Sequence, residues 1–75
     1  ERRPRIDLPL YIDALTNRET EIMRLLAADL SPQGVADALT ISLATVRTHM
    51  KNAYAKLDAH SRYEAIQRAQ ALGFL

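Results

Sequence analysis

Four helix-start signals stand in series along this chain of 75 residues, and their spacing leaves room only for short helices. Thr16 is followed three residues later by Glu19, Ser31 directly by Pro32, and Ser61 three residues later by Glu64, with Ser42 standing between the last two. A Ser or Thr hydroxyl at an N-cap accepts one of the amide protons that a helix start leaves unpaired. Glu three residues on can return the favour to the cap's own amide, and Pro suits the first helical position because its missing N–H is not needed there. The signals predict helices over about 17–28, 32–39, 43–57 and 62–72, with Gly73 stopping the last in the C′ position. The apolar sets agree: Ile22, Met23, Leu25 and Leu26 in the first helix, and Val35, Ala36 and Leu39 in the second. Gly34 costs the second helix roughly 1 kcal/mol relative to Ala, so that helix leans on packing. No stretch alternates with period 2, so no strand is expected and the fold class is all-α.

The length allows one small domain, which buries only about 60% of its unfolded surface. Apolar residues at 48% and charged residues at 25% are a folded domain's composition. With no Cys there is neither a disulfide framework nor a thiolate metal site. A reducing, cytoplasmic setting is the expectation. No apolar run approaches the roughly 20 residues of a membrane span. Residues 1–14 carry Pro4 and Pro9, both unfavourable to helix, and read as a linker from an upstream domain. Within it Leu8, Leu10, Tyr11 and Ile12 can pack locally against the domain, which is expected over 15–75. The chain opens on Glu1 and reads as a piece of something longer.

The formal net charge of +1 argues against a strongly basic nucleic-acid binder, but it hides a gradient. Residues 1–6 hold a net +2, residues 7–41 a net −4, and residues 42–75 a net +3 from Arg47, Lys51, Lys56, Arg62 and Arg68 against Asp58 and Glu64.

The second and third helices, joined by Thr40-Ile41-Ser42, form a helix-turn-helix candidate, in which the second of the pair enters the DNA major groove. On a wheel with Arg47 at zero, Lys51 falls near ~40°, Ala44 near ~60°, Ala55 near ~80° and Thr48 near ~100°. Leu43, Val46, Met50, Ala53 and Leu57 fall on the far side. Arg and Lys donate to guanine O6 and N7, a Thr methyl or Ala meets the thymine methyl, and small residues permit close approach. A flanking face holds Thr45, His49, Asn52 and Lys56, suited to phosphate contacts that set register. The amides near Ser42 can also meet a phosphate. The wheel leaves open that this cationic face is simply solvated, that His49 is a structural hydrogen-bonder, that Thr45 supports the cap, and that Arg62 pairs with Glu19 or Glu64 away from DNA.

Leu15-Thr16-Asn17-Arg18-Glu19-Thr20-Glu21-Ile22 resembles the opening of the LuxR-type (GerE- or NarL-type) DNA-binding domain. Thr45-Val46-Arg47-Thr48-His49 is similar to that family's recognition helix, continued by Asn52, Tyr54, Lys56 and Leu57. Ser61-Arg62 with Glu64-Ala65 resembles the start of its fourth helix, and Leu72-Gly73-Phe74-Leu75 its chain end. The resemblance spans 15–75 without a gap. It implies a four-helix domain at the C-terminus of a bacterial transcription regulator, such as a response regulator, bound as a dimer to promoter DNA. It carries base contacts onto Arg47, Thr48 and Lys51, and phosphate contacts onto Thr45, Asn52 and Lys56. It implies a Glu19–Arg62 pair docking the fourth helix on the first, and dimerisation through the fourth helix. There Tyr63, Gln67 and Gln70 form one row, which Phe74 would join if the helix continued, while Ala65, Ile66, Ala69 and Leu72 would face the first and third helices. RNA polymerase is a further candidate partner.

Two residues depart from the family pattern. Gly34 stands before Val35-Ala36 and should loosen the second helix or let something approach closely, and Ala53 makes a smaller core contact than the family's usual Ile. The alternatives are promoter recognition within a sigma factor, which the Ser61–Ala65 segment disfavours, and a helical protein-interaction module without DNA binding. No nucleophile–base spacing or Gly-rich phosphate loop suggests an enzyme, and no cofactor or metal is expected.

Overall fold

The computed structural model describes residues 14–75, so the linker expected over 1–14 lies, but for Ala14, outside the described residues. Four helices follow one another: α1 (Asn17–Ala27), α2 (Pro32–Leu39), α3 (Leu43–Leu57) and α4 (Arg62–Ala71). No strand occurs among the described residues.

Each helix begins where a hydroxyl takes up an orphan amide. Thr16 Oγ1 accepts from Glu19 N at 3.0 Å, and Glu19 Oε1 accepts from Thr16 N at 2.9 Å, closing the expected capping box. Ser31 accepts from Gly34 N, Ser42 from Thr45 N and Ser61 from Glu64 N, at 3.0, 3.0 and 3.1 Å. The second expected box does not close on its cap. Glu64 Oε1 accepts from His60 N at 2.7 Å, not from Ser61 N, so the carboxylate reaches one residue further back.

All four helices end by one device. Asp29, Thr40, Asp58 and Gly73 have φ of 76, 56, 53 and 84°, in the left-handed region. After each, an apolar residue turns its N–H back five positions: Leu30 to Leu25 O, Ile41 to Ala36 O, Ala59 to Tyr54 O and Phe74 to Ala69 O, at 3.1, 3.0, 2.9 and 2.8 Å. This is the Schellman pattern, which pairs the last carbonyls and directs the following apolar side chain inward. Leu30, Ile41 and Phe74 are part-buried against the core and Ala59 is buried.

The core gathers Leu15, Ile22, Met23 and Leu26 with Val35 and Ala36 of α2, Val46, Ala53 and Leu57 of α3, and Ala65 and Ala69 of α4. Fully burying each larger aliphatic side chain is worth about 1.5–3 kcal/mol, so Ile22, Met23, Leu26, Val35 and Val46 carry most of this core. α3 packs on α1, α2 and α4 alike, which holds it as the axis of the domain. Where α4 meets the core, its two buried alanines permit close approach. Leu72 is not among the inward residues expected of α4: it is 43% exposed, because the helix stops at Ala71 and Gly73 turns the chain. Phe74 takes the inward place and so leaves the Tyr63 row it was expected to extend.

Candidate nucleic-acid interface

The turn between α2 and α3 is short because Thr40 ends one helix and Ser42 starts the next. Ser42 both accepts from Thr45 N and donates to Thr45 Oγ1 at 2.8 Å, so its hydroxyl is committed to the cap. Thr45 Oγ1 keeps its own proton to offer outward, and both residues are exposed.

Along α3 the wheel is realised. Val46, Ala53 and Leu57 are buried, while Ala44, Arg47, Thr48, Lys51 and Ala55 are exposed together. Arg47 and Lys51 lie one turn apart, and neither has an ion-pair partner among the described residues. Thr48 Oγ1 donates to Ala44 O at 3.1 Å, which spends its proton within the helix and leaves its lone pairs and methyl group for contacts. Asn52 is exposed beside this face, and His49 is half-buried.

Lys56 does not stand free at the phosphate flank where it was expected. Its ammonium lies 2.8 Å from Glu19 Oε1 and 3.3 Å from Ala14 O, with the side chain only 22% exposed. Glu19 itself is 4% exposed. Burial by itself would raise the Glu19 carboxyl, but the Lys56 and Thr16 hydrogen bonds, with the charge of Lys56, outweigh it and hold the group below its ordinary value.

The expected Glu19–Arg62 pair is therefore absent. Arg62 donates to Leu26 O at 2.7 Å and lies 3.7 Å from Asp29 Oδ1. The reason is geometric: Glu19 stands at the start of α1 and Leu26 at its end, about 10 Å along the axis. α3 brings its C-terminal turn to the first site and α4 its N-terminal turn to the second. A cation on the last carbonyls of α1 is also favoured by the helix dipole. Arg62 does dock α4 on α1, but through a carbonyl.

On α4, Tyr63 is 71% exposed, and Gln67 Nε2 donates to its hydroxyl at 2.9 Å. Gln70 continues the exposed row. Arg68 reaches Glu64 Oε2 at 3.2 Å, Leu57 O at 3.3 Å and Asp58 Oδ2 at 3.7 Å, tying α4 to the end of α3. The His60 N–H is the main cause that holds the Glu64 carboxyl below its ordinary value; burial opposes it and the Arg68 charge assists.

Between α3 and the α3–α4 turn lies an open groove of about 510 Å³, lined by the charged or polar Arg47, Lys51, Asp58 and His60 and by Met50, Tyr54, Ala55 and Ala59. Sequence reasoning did not find it, since the turn's position depends on how α4 packs. Tyr54 OH is buried without a hydrogen-bond partner among the described residues; burial raises this phenol, and the Arg62 charge opposes. Among the described residues no group of three or more His, Cys, Asp or Glu could hold a metal, and no helix is long and apolar enough to cross a membrane.

A family model described as bacterial regulatory proteins, luxR family, matches residues 13–69. The uncharacterized response regulatory protein YgeK of Escherichia coli (strain K12) is 44% identical over 59 residues, covering 79% of this chain. The chain spans only 40% of that relative's length. The solved transcription factor GerE superposes with a TM-score of 0.77 at 43% identity, covering 81% of this chain and 91% of GerE. The Vibrio cholera protein VqmA, solved as a complex with ligand and DNA, superposes with a TM-score of 0.74 at 30% identity, covering 99% of this chain and 30% of VqmA.

Proposed function

Because the chain belongs to the luxR family of bacterial regulatory proteins, we propose that this helix-turn-helix domain binds duplex DNA with sequence preference, with α3 lying in the major groove. Arg47, Thr48 and Lys51 read base edges there. Ser42, Thr45 and Asn52 meet flanking phosphates, Ser42 through the amides it helps to present. Promoter binding by the whole protein, with RNA polymerase as a further partner, belongs to the same reading.

The observation that carries it is the exposed face of α3, where Arg47, Thr48 and Lys51 stand between small Ala44 and Ala55. A guanidinium or ammonium on such a face donates to guanine, and the alanines let the backbone come close to the bases. VqmA, which shares the fold, was solved with DNA, and that supports the same partner. On the DNA the domain pairs with a second copy through α4. The exposed Tyr63, with Gln67 and Gln70 beside it, is suited to centre a small contact.

The test is selection of bound duplexes from a random pool, followed by titration of the best sequence. Arg47→Ala should cost about 1–3 kcal/mol and relax preference at one base position. Unchanged strength together with unchanged preference would refute the recognition-helix assignment. Half-sites in inverted repeat, with binding that steepens with protein concentration and is flattened by Tyr63→Ala, are expected if α4 forms the dimer.

A further inference from the structure

We propose that the groove beside α3 seats one sugar-phosphate strand of bound DNA, and that the His60 imidazole contacts a phosphate of that strand. The inference rests on the DNA-binding reading above and extends it to a residue outside the helix-turn-helix.

The length of α3 leaves room for such a neighbour. Its 15 residues span about 22 Å, whereas the major groove is about 12 Å wide. With base contacts between Arg47 and Lys51 and α3 crossing the groove, the last part of α3 and the turn after it come out past a backbone strand. The groove lies at that place. Arg47 and Lys51, the two cations of the reading face, line it together with His60, and Met50, Tyr54, Ala55 and Ala59 supply its apolar lining. Apolar lining beside Arg47 and Lys51 complements a strand of deoxyribose faces and phosphates.

The local charges favour this occupant. One acid, Asp58, also lines the groove; the lining cations Arg47 and Lys51 outnumber it, and Arg68 lies 3.7 Å from its carboxylate. Glu64 lies 3.2 Å from Arg68 as well. The His60 backbone N–H is already given to Glu64 at 2.7 Å, which leaves the imidazole, carrying an N–H whether charged or neutral, and the Ser61 hydroxyl as side-chain donors of the turn; of the two, His60 lines the groove. His60 is exposed and no hydrogen bond from its ring occurs among the described residues.

The experiment replaces phosphates of the selected duplex one at a time with methylphosphonate, which removes the charge and keeps the backbone. Each duplex is titrated against the unaltered chain and against His60→Ala, both shown to be folded by circular dichroism. One substitution should weaken the unaltered chain about 3- to 10-fold, as loss of one hydrogen bond does, and weaken His60→Ala no further. His60→Ala alone should lose the same factor on duplexes that keep that phosphate, whatever their base sequence, and His60→Lys should restore it. If His60→Ala loses nothing, or if every methylphosphonate costs both proteins alike, the proposal is overturned. A coupled phosphate with no effect of Arg47→Ala on base preference would instead refute the base-reading assignment and leave His60 in place.

Discussion

Lys56 Nζ and Glu19 Oε1 lie 2.8 Å apart across 37 positions of sequence, joining the last turn of α3 to the first turn of α1. The same carboxylate oxygen accepts from Thr16 N, so one group caps α1 and anchors the helix that carries Arg47 and Lys51. The orientation of the exposed face of α3 therefore depends on a pair that stands apart from it.

Acid should weaken this anchor. The Glu19 carboxyl is held below its ordinary value of 4.5, so its contribution to stability is present in full above that pH. It is lost as pH falls through the lower, folded-state value, because the unfolded chain then binds a proton that the folded chain resists. Glu19→Gln should cost about 1–3 kcal/mol at neutral pH. Urea unfolding from pH 7 to pH 3 should also give a flatter acid limb for this variant, and an unchanged limb would assign the acid sensitivity to other carboxyls.

Lys56→Met should lower stability by about 1–3 kcal/mol, since it leaves the buried Glu19 carboxylate without its cation. A lysine on a phosphate would add roughly 0.9 to the slope of log affinity against log salt. Held by Glu19, Lys56 should add little, and the variant's slope in a salt titration should match that of the unaltered chain. A slope reduced by the full increment would return Lys56 to the phosphate contacts.

Thr40 is the most strained of the four helix ends. A β-branched residue at φ 56° bears a cost that Gly73, at φ 84°, does not. Left-handed backbone costs an L-residue about 1–2 kcal/mol, part of which Gly returns through its freer unfolded chain. Thr40→Gly should therefore raise stability by about 0.5–1 kcal/mol, and Gly73→Ala should lower it by about 1 kcal/mol. Thermal midpoints of the two variants should move in opposite directions.

Gly34 is not a point of close approach. A methyl group built there would meet Ser31 Oγ at 3.4 Å and Leu30 Cβ at 3.6 Å, which are ordinary contacts. Gly34→Ala should stabilise the domain by about 0.5–1 kcal/mol through helix propensity and chain entropy. A gain in thermal midpoint of about 2–8 °C is expected for a domain this small, and a loss would mean that the second helix needs the glycine for another reason.

Much of the fold was legible because its signals are local. Thr16, Ser31, Ser42 and Ser61 act on amides three residues away, and the wheel separates Arg47 and Lys51 from Val46 and Ala53 within one helix. A further local signal went unread. Within two residues of each helix end stands Asp, Thr or Gly followed by an apolar residue: Asp29-Leu30, Thr40-Ile41, Asp58-Ala59 and Gly73-Phe74. That pairing is the stop signal of the Schellman turn, and only the glycine was read as one.

What the amino-acid sequence determined by itself is therefore the set of four helices, their starts and the composition of the outward face of α3, since caps and periodicity act over three or four residues. Only the tertiary structure decided which charge meets which. Glu19 took Lys56 and not Arg62, Arg62 took the Leu26 carbonyl, and His60 came to line a groove with Arg47. Each long side chain can reach several partners from its own helix, and the choice among them depends on how α1, α3 and α4 cross, which the buried faces settle together.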